Sequence, residues 1–341
     1  MYRLSVLLIL AATSVFILSG CSKSTEPEKP KPQYFTGTGI SFQNWRDTGF
    51  PDGILPGYSV KEKMSHKARA YFYNILPSDV LLNNILSQVP EGYTGDESVP
   101  VLDVFYDPSL KGAYNYTTDL TDPVKSWGGL QRLVSKDEVK GNANSYQIQM
   151  WMNVQQVPKA AKLYIDLGRI SEDVIPNFTL NTEDKNNNGL IDLGEDTGLD
   201  GLADQQEPYY NELTNPDPSG DNYSYSPFLS DFSRFNGTEN SLVSLDNGKL
   251  PDTEDIDANY NLELRNDFLR YEIPLDSLEA DKSYTIEKGR NGWFKVMLPV
   301  YAFKSGIGYP VLSAPMLMRL WFSGDESRIH LRFAELTFTS R

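Results

Sequence analysis

Alternating apolar and polar positions predict a chain built mainly of β-strands. From Tyr146 to Val154 every second residue is apolar, as in a strand with one face in a core. Leu163, Ile165 and Leu167 repeat this period of two. The same alternation predicts further strands at Val101–Tyr106, Phe268–Leu275, Trp293–Val300, Met316–Phe322 and Ile329–Phe338.

The last of these strands changes phase along its length. Leu331 and Phe333 face one way, whereas Leu336 and Phe338 face the other. An extra residue in one strand of a pair produces such a change. The pattern therefore predicts a β-bulge near Ala334.

A single segment carries a helical stripe, with Ser78 where an N-cap residue belongs. Its apolar residues recur at intervals of three and four, and they are Leu81, Leu82, Ile85, Leu86 and Val89. Many strands, loops of uneven length and little helix are typical of sandwich folds. We predict an all-β fold, an antiparallel jelly-roll-like β-sandwich with one short helix.

An acidic stretch in the middle of the chain has the spacing of a calcium loop. Asp184–Glu195, the first loop, fits the pattern D-x-[DN]-x-[DN]-G-x₅-E with its turn at Gly189. Calcium prefers six to eight oxygen ligands, and this spacing supplies them without sulfur or imidazole. The predicted ligands are Asp184, Asn186, Asn188, the carbonyl of Leu190, Asp192 and Glu195.

A second loop, Asp196–Glu207, begins at the next residue. Gly201 keeps the turn position, but Gly198 stands at the third position and leaves the loop one ligand short. The predicted ligands are Asp196, Asp200, Asp204 and Glu207. The alternative for both loops is an acidic disordered linker, which would need charge without this register.

Neither loop is flanked by the amphipathic helices of a calcium sensor, because prolines such as Pro176 and Pro208 interrupt both sides. We therefore interpret the loops as a clasp that folds around Ca²⁺ rather than a switch. A third, weaker metal candidate has ligand spacing at Asp255, Asp257 and Asn259. Tyr260 stands where its turn glycine belongs, so a solvated turn is an equal alternative.

The first 20 residues have the features of a lipoprotein signal peptide. Arg3 precedes a short apolar stretch, and Leu18-Ser19-Gly20 leads into Cys21, the single cysteine of the chain. We predict lipidation of the Cys21 thiol and attachment to the membrane through that anchor. The alternative is a plain secretory signal with an unrelated cysteine.

Residues 21–33 are polar and proline-rich, which is typical of a tether. Residues 34–341 are predicted to form a single β-sandwich module with the calcium-loop insertion at about 180–210. The expected location is the outer membrane, with the module facing the periplasm or the cell surface. The chain has 46 acidic and 31 basic residues, and a surface that acidic disfavours nucleic acid as a partner.

No catalytic pattern is present, and we predict that the protein is not an enzyme. Of the two histidines, His66 lies in a polar segment and is interpreted as a surface residue, whereas His330 lies within a predicted strand and is interpreted as structural. Sequence patterns for serine hydrolases, zinc proteases and nucleotide-binding loops are missing. Carboxylate pairs for glycoside hydrolysis are defined by spatial distance and leave no signal in a sequence.

Tryptophans raise the alternative of glycan binding, because an exposed aromatic face can stack on a sugar. Trp45 and Trp127 lie in segments with glycine or aspartate that could be loops, and Trp151 alternates away from the apolar face of its strand. The opposing interpretation is that all three fill buried positions.

Short segments in collinear order carry a family resemblance. They are Pro100–Tyr116, Trp127–Leu130, Ile148–Met152, Leu163–Val174, Glu195–Leu202, Asp217–Tyr223, Phe235–Glu239, Pro251–Ile256, Tyr271–Leu275 and Leu331–Leu336. Together they resemble the repeated extramembrane module of SprA-type proteins, which serve gliding motility and the type IX secretion translocon in Bacteroidota. The resemblance implies a shared soluble module in the cell envelope. A single tethered module has no translocation pore of its own.

These observations predict a calcium-stabilised lipoprotein of the outer membrane or cell surface. Its expected role is binding or assembly in the envelope, with a protein partner and a link to secretion or gliding. The alternative is a carbohydrate-binding surface lipoprotein with a glycan as its ligand.

Overall fold

Two six-stranded antiparallel sheets pack face to face, which confirms the all-β sandwich. In spatial order, the first sheet contains β1 (Trp45–Asp47), β4 (Trp127–Val134), β13 (Met316–Ser323), β6 (Lys162–Arg169), β9 (Asp267–Pro274) and β12 (Ser305–Ile307). The second contains β10 (Thr285–Lys288), β11 (Trp293–Pro299), β5 (Tyr146–Gln156), β14 (Ile329–Ser340), β3 (Leu102–Lys111) and β2 (Ala68–Asn74). A separate pair joins β7 (Ser224–Ser226) and β8 (Asp231–Arg234).

The structure is a computed structural model. It describes residues 34–35, 37, 39–75, 79–117, 120, 122–139, 146–226, 231–240, 250–312, 315–324 and 326–340, with the backbone alone at 225, 226 and 231. The predicted signal peptide, Cys21, the tether and the predicted N-cap Ser78 lie outside these residues. No helix in the described part of the chain is long and apolar enough to cross a membrane.

Eight strands give the sandwich a jelly-roll topology. The inner order of the first sheet is β4-β13-β6-β9, and that of the second is β11-β5-β14-β3. The chain passes from one sheet to the other at each step through these strands, except between β6 and β9, which pair side by side. Eight strands connected in this way are the double Greek key of a jelly roll.

All seven predicted strands are present, but β1, β2, β4, β7, β8, β10 and β12 were missed, and the longest of these is β4. Its eight residues are almost all buried, and they include the polar side chains of Gln131 and Arg132. A strand that is buried on both faces shows no alternation, so the period-two criterion cannot detect it. The predicted bulge is confirmed, because the register of β14 against β5 shifts between Phe333 and Glu335.

The described residues form two short α-helices where the sequence predicts one. The predicted helix is α2, Leu82–Ile85, and the carboxamide oxygen of Asn84 accepts from the backbone N–H of Leu81 at 2.8 Å. The helix α1, Val60–Ser65, was missed because its residues are mostly charged or polar. Its stability comes from a capping box in which the Ser59 and Glu62 side chains accept from each other's backbone.

The main core lies between the sheets, and smaller apolar clusters cover the outer faces. Trp151 and Trp293 point outward from the second sheet and pack with α2. Trp127 and Trp321, on the outer face of the first sheet, pack with Met64 of α1 and with apolar side chains of the connection between β6 and β9. Parts of both sheets are therefore buried on two sides, because long connections fold back over them.

The acidic loops belong to the connection between β6 and β9. These strands pair directly, from Lys162 opposite Pro274 to Arg169 opposite Asp267. The connection therefore begins at residue 170 and ends at residue 266, so it is longer than the predicted insertion at about 180–210. Its two ends leave the sheet side by side, which lets a long segment be inserted without disturbing the strand order.

A buried ion cluster holds three adjacent strands of the first sheet together. Asp166 on β6 stands directly opposite Arg270 on β9 and Arg319 on β13. Its carboxylate is fully buried and accepts from Arg270 at 2.7 and 3.0 Å and from Arg319 at 2.6 and 2.9 Å. The guanidinium groups also lie over the rings of Trp321 and Phe268.

Removing the Asp166 carboxylate is expected to destabilise the fold strongly. Asp166→Ala leaves Arg319, which is 1% exposed, without its counter-charge, and breaking such a pair costs about 3–5 kcal/mol. The matched control is Glu272→Ala, which removes the exposed pair with Lys162 on the same two strands and should cost under about 1 kcal/mol. Chemical denaturation measures both, and equal losses would contradict the expectation.

Candidate metal centres

The first loop is held in a fixed conformation by its own carboxylates. The two oxygens of Asp184 accept from the backbone N–H groups of Asn188 at 2.9 Å and Gly189 at 2.7 Å. Glu195 closes the loop, since it accepts from the backbone of Lys185 and Asp192 at 3.1 and 2.9 Å. Gly189 adopts a φ of +75°, so the turn needs a residue that tolerates the left-handed region.

The remaining predicted ligands of the first loop converge on one oxygen. The side-chain amides of Asn186 and Asn188 donate to Oδ2 of Asp192 at 2.7 and 2.8 Å. Their amide oxygens accept from the backbone N–H groups of Asn188 and Leu190 at 3.0 and 2.8 Å. The structure therefore brings Asn186, Asn188 and Asp192 together. Asp184, Asp192 and Glu195 do not form one of the close acidic clusters found among the described residues, and Leu190 is exposed to solvent.

In the second loop, the predicted carboxylates form two triads with residues from outside the loop. Asp200 and Glu207 meet Asp221, and Asp204 and Glu207 meet Asp217. Each member of a triad offers one oxygen within 4.8 Å of the others. These clusters could hold a metal ion. The loop's first position, Asp196, belongs to neither triad.

Neighbouring hydrogen-bond donors orient two carboxylates of the second loop, Asp200 and Glu207. Oδ2 of Asp200 accepts from the Tyr116 hydroxyl and the Ser219 hydroxyl, both at 2.7 Å. Oε2 of Glu207 accepts from the Ser219 backbone at 2.7 Å, and burial raises the pKa of Glu207 to about 7. In the other triad, Asp217 forms an ion pair with Arg234.

The third candidate adopts the conformation of the first loop, and we name residues 255–266 the third loop. The oxygens of Asp255 accept from the backbone of Asn259 at 2.9 Å and of Tyr260 at 2.8 Å. Asp184 accepts in the same way from the backbone of the residues four and five positions after it. Tyr260 takes the place of the turn glycine at a φ of +62°. Of the predicted ligands, Asp257 joins a cluster with Glu172 and Glu263.

A glutamate from far upstream closes the third loop. In the first loop, the position-12 residue Glu195 accepts from the backbone of the second and ninth positions. In the third loop, Glu172 accepts from those same positions, Ile256 at 3.0 Å and Glu263 at 3.2 Å. Burial and the neighbouring Glu263 raise the pKa of Glu172 well above its usual range. Glu172 therefore replaces the glutamate that position 12 lacks.

Two other buried carboxylates each accept hydrogen bonds from two separate backbone segments. Glu183 is fully buried and accepts from the N–H groups of Gly198 and Asp252 at 2.9 and 2.8 Å. Glu254 is fully buried and accepts from Val174 and Asn181 at 2.7 and 2.9 Å. Their oxygens have donors, so these residues tie segments of the connection together and need no ion.

Four carboxylates of these clusters were not predicted as ligands: Glu172, Asp217, Asp221 and Glu263. The loop pattern cannot find Glu172, Asp217 or Asp221 because they lie outside the twelve-residue windows. Glu263 is the ninth position of the third loop, and a strict reading of that window would have found it.

The tryptophans offered as sugar platforms are buried. All three side chains are at most 2% exposed, namely those of Trp45, Trp127 and Trp151. They therefore fill buried positions and cannot stack on a sugar. Their polar edges are used inside the fold, since the indole N–H of Trp127 donates to the carbonyl of Lys63 at 2.7 Å. Of the histidines, His330 stacks on Phe105 and contacts Asp103.

No protein-family model matches the chain, and a search of the curated proteins finds no match either. The resemblance to SprA-type modules therefore stays a prediction.

Exchanging the turn residues of the two similar loops should have opposite effects. Tyr260→Gly is expected to slow amide exchange in residues 255–266, because a non-glycine residue in the left-handed region costs about 1–2 kcal/mol. Tyr260 is 69% exposed, so little packing is lost. Gly189→Ala is the matched change, and nothing lies within 4 Å of the added Cβ.

Because only strain is added by Gly189→Ala, exchange in residues 184–195 should become faster. Mass spectrometry of peptides from these two segments measures both effects. Unchanged exchange in Tyr260→Gly would contradict the assignment of residue 260 to the turn position.

Proposed function

We propose that the chain is a non-enzymatic, calcium-stabilised lipoprotein of the outer membrane that acts in binding or assembly within the cell envelope. The observation that carries the calcium assignment is the first loop. Its sequence meets every required position of the pattern, and Glu195 accepts from the backbone of Lys185, the residue next to Asp184, so the first and last ligand positions lie on one turn.

Calcium fits these clusters better than other common ions. The donors are carboxylates, amides and carbonyls, whereas zinc and copper favour imidazole and thiolate. Magnesium requires near-ideal octahedral geometry and keeps several waters, while calcium accepts six to eight oxygens in flexible arrangements. Loops of irregular backbone with many oxygens therefore suit calcium.

The role we assign to calcium is structural. Residues 170–223 contain a short 3-10 turn at Asp204–Gln206 and no α-helix, so no helix pair flanks the loops to move on binding. Folding gathers like charges in this connection, and a bound cation offsets their repulsion. Extracellular modules bind calcium with dissociation constants of about 10⁻⁴–10⁻³ M. Calcium outside the cytoplasm would therefore suffice to keep the loops folded.

The envelope setting rests on the sequence. The signal pattern of residues 1–20 and the acceptor Cys21 support a lipid anchor, and the SprA-like segments support a role beside protein secretion or gliding. The partner we propose is another protein of the envelope.

Chelation is expected to lower the melting temperature by several degrees. A ligand that binds only the folded state stabilises it by about 2.7 kcal/mol at a hundredfold excess over its dissociation constant. Asp184→Ala should reproduce part of the loss, because the other clusters remain. The control is Glu279→Ala, which removes an exposed carboxylate outside the loops. Identical melting curves with calcium and with EDTA would refute the calcium assignment.

A glycan ligand is the second candidate, and one cleft favours it. Beside the third loop lies a cleft of about 610 Å³, lined by Arg265, Asp267 and Tyr309 among others. The ring of Tyr309 is 91% exposed, so it could stack on a sugar while the charged groups accept and donate hydrogen bonds.

Two measurements separate these candidates. Crosslinking in intact cells and pull-down of the tagged chain should recover an envelope protein, and Cys21→Ser should lose it because serine cannot take the thioether lipid. A panel of glycans is expected to show no binding. Glycan binding that Tyr309→Ala abolishes would favour the second candidate instead.

A further inference from the structure

Asp221 is a buried carboxylate that has no hydrogen-bond partner. Its side chain is 1% exposed, and neither oxygen accepts from any described residue. Two cations lie nearby. Arg69 acts on Asp221 through its charge alone, because it donates to the carbonyls of Gly220 and Ser233 while its Nη2 has no hydrogen-bond partner. Arg234 pairs with Asp217. An ionised carboxylate left in this state costs several kcal/mol.

The unpartnered carboxylate faces two others. Asp221, Asp200 and Glu207 each offer one oxygen within 4.8 Å of the other two. Glu207 is 4% exposed, and its Oε1 also lacks a partner. Like charges packed this closely repel each other, so the arrangement is unfavourable unless a cation or protons are added.

The position of Asp221 explains the glycine that breaks the second loop. A Cβ on Gly198 would collide with Oδ2 of Asp221, and Gly198 adopts a φ of +62°. The calcium pattern places a ligand side chain at residue 198. In this structure the space beside that residue is filled by a carboxylate from another segment.

We propose that Asp221 completes a buried calcium site with Asp200 and Glu207. The site deepens the proposed calcium role and rests on it. Its ligands come from two segments, so the ion would join the second loop to residues 217–222. Ser219 and Tyr116, which orient Asp200, would then hold the ligand set in place. Backbone oxygens or water would supply the remaining ligands that calcium needs.

The other triad of this cluster has its own cation. Arg234 neutralises Asp217 there, whereas Asp221, Asp200 and Glu207 have no such pair among the described residues. The calcium ion is therefore assigned to the triad with Asp221.

This site would anchor the connection to the sandwich, unlike the first loop. Tyr114 lies just after β3. Its side-chain hydroxyl accepts from the backbone N–H of Leu199 at 2.9 Å, and its backbone N–H donates to the carbonyl of Ser219 at 2.6 Å. Residues on both sides of the ion thus contact the same tyrosine. Losing this ion should loosen a wider region than losing the ion of the first loop.

Native mass spectrometry of the full chain in calcium tests the site by counting bound ions. Asp221→Asn should carry one calcium fewer than the wild type. Glu212→Gln, which changes an exposed carboxylate just beyond the second loop, should keep the wild-type number. Gly198→Ala keeps every carboxylate but should lose the same ion, because its Cβ displaces Asp221. A wild-type count in Asp221→Asn would overturn the site.

The count also separates this proposal from the calcium role as a whole. Asp184→Ala should lose a different ion, so Asp184→Ala with Asp221→Asn should lose two. If Asp184→Ala loses an ion and Asp221→Asn does not, only the site at Asp221 fails. If the wild-type chain holds no calcium, the proposed function fails with it.

Melting curves give a second readout, which a purely structural role would not produce. In EDTA, Asp221→Asn should melt above the wild type, because an amide avoids the free energy needed to bury a carboxyl group, ionised or protonated, beside two others. In calcium, the order should reverse, because only the wild type gains the ion. If Asp221→Asn is less stable in both conditions, or does not fold, Asp221 has a structural role only and the site is overturned.

Discussion

The cost of burying carboxylates is the constraint on which this structure depends. The chain meets it in three ways. Asp166 lies between two arginines on adjacent strands, and Glu183 and Glu254 accept from backbone N–H groups of distant segments. Asp221 has neither kind of partner. A carboxylate that the chain leaves unpartnered, beside two others, is the strongest physical reason to place a cation there.

The scaffold determines where such a cluster can form. A jelly roll has one pair of consecutive strands that lie side by side, here β6 and β9, and the long acidic connection is inserted between them. Its first and last residues are therefore close in space, which brings Glu172, just after β6, next to the third loop, just before β9. The same connection covers Trp127 and Trp321 on the outer face of the first sheet. Folding of the connection is thus coupled to burial of the sheet.

The two incomplete loops show a common principle. The third loop lacks a glutamate at its last position, and Glu172 accepts the two hydrogen bonds that this glutamate would accept. The second loop lacks a side chain at Gly198, and Asp221 fills the space beside it. In both, a carboxylate from another segment replaces a missing residue of the loop. Such loops cannot hold their ligand set unless the rest of the connection is folded, which makes ion binding and folding interdependent.

The sequence by itself determined the features that depend on neighbouring residues. Alternation predicted β3, β5, β6, β9, β11, β13 and β14, and the phase change predicted the bulge in β14. The spacing of the first loop placed Asn186, Asn188 and Asp192 where their side chains meet. Only the tertiary structure decided that Trp45, Trp127 and Trp151 are buried, that β4 is a strand without alternation, and that Glu172 and Asp221 join loops from which they are distant in sequence. The physical reason is that a local pattern records which face of an element is apolar. What packs on that face, and which distant charge comes to lie beside a loop, depends on how the whole chain is folded.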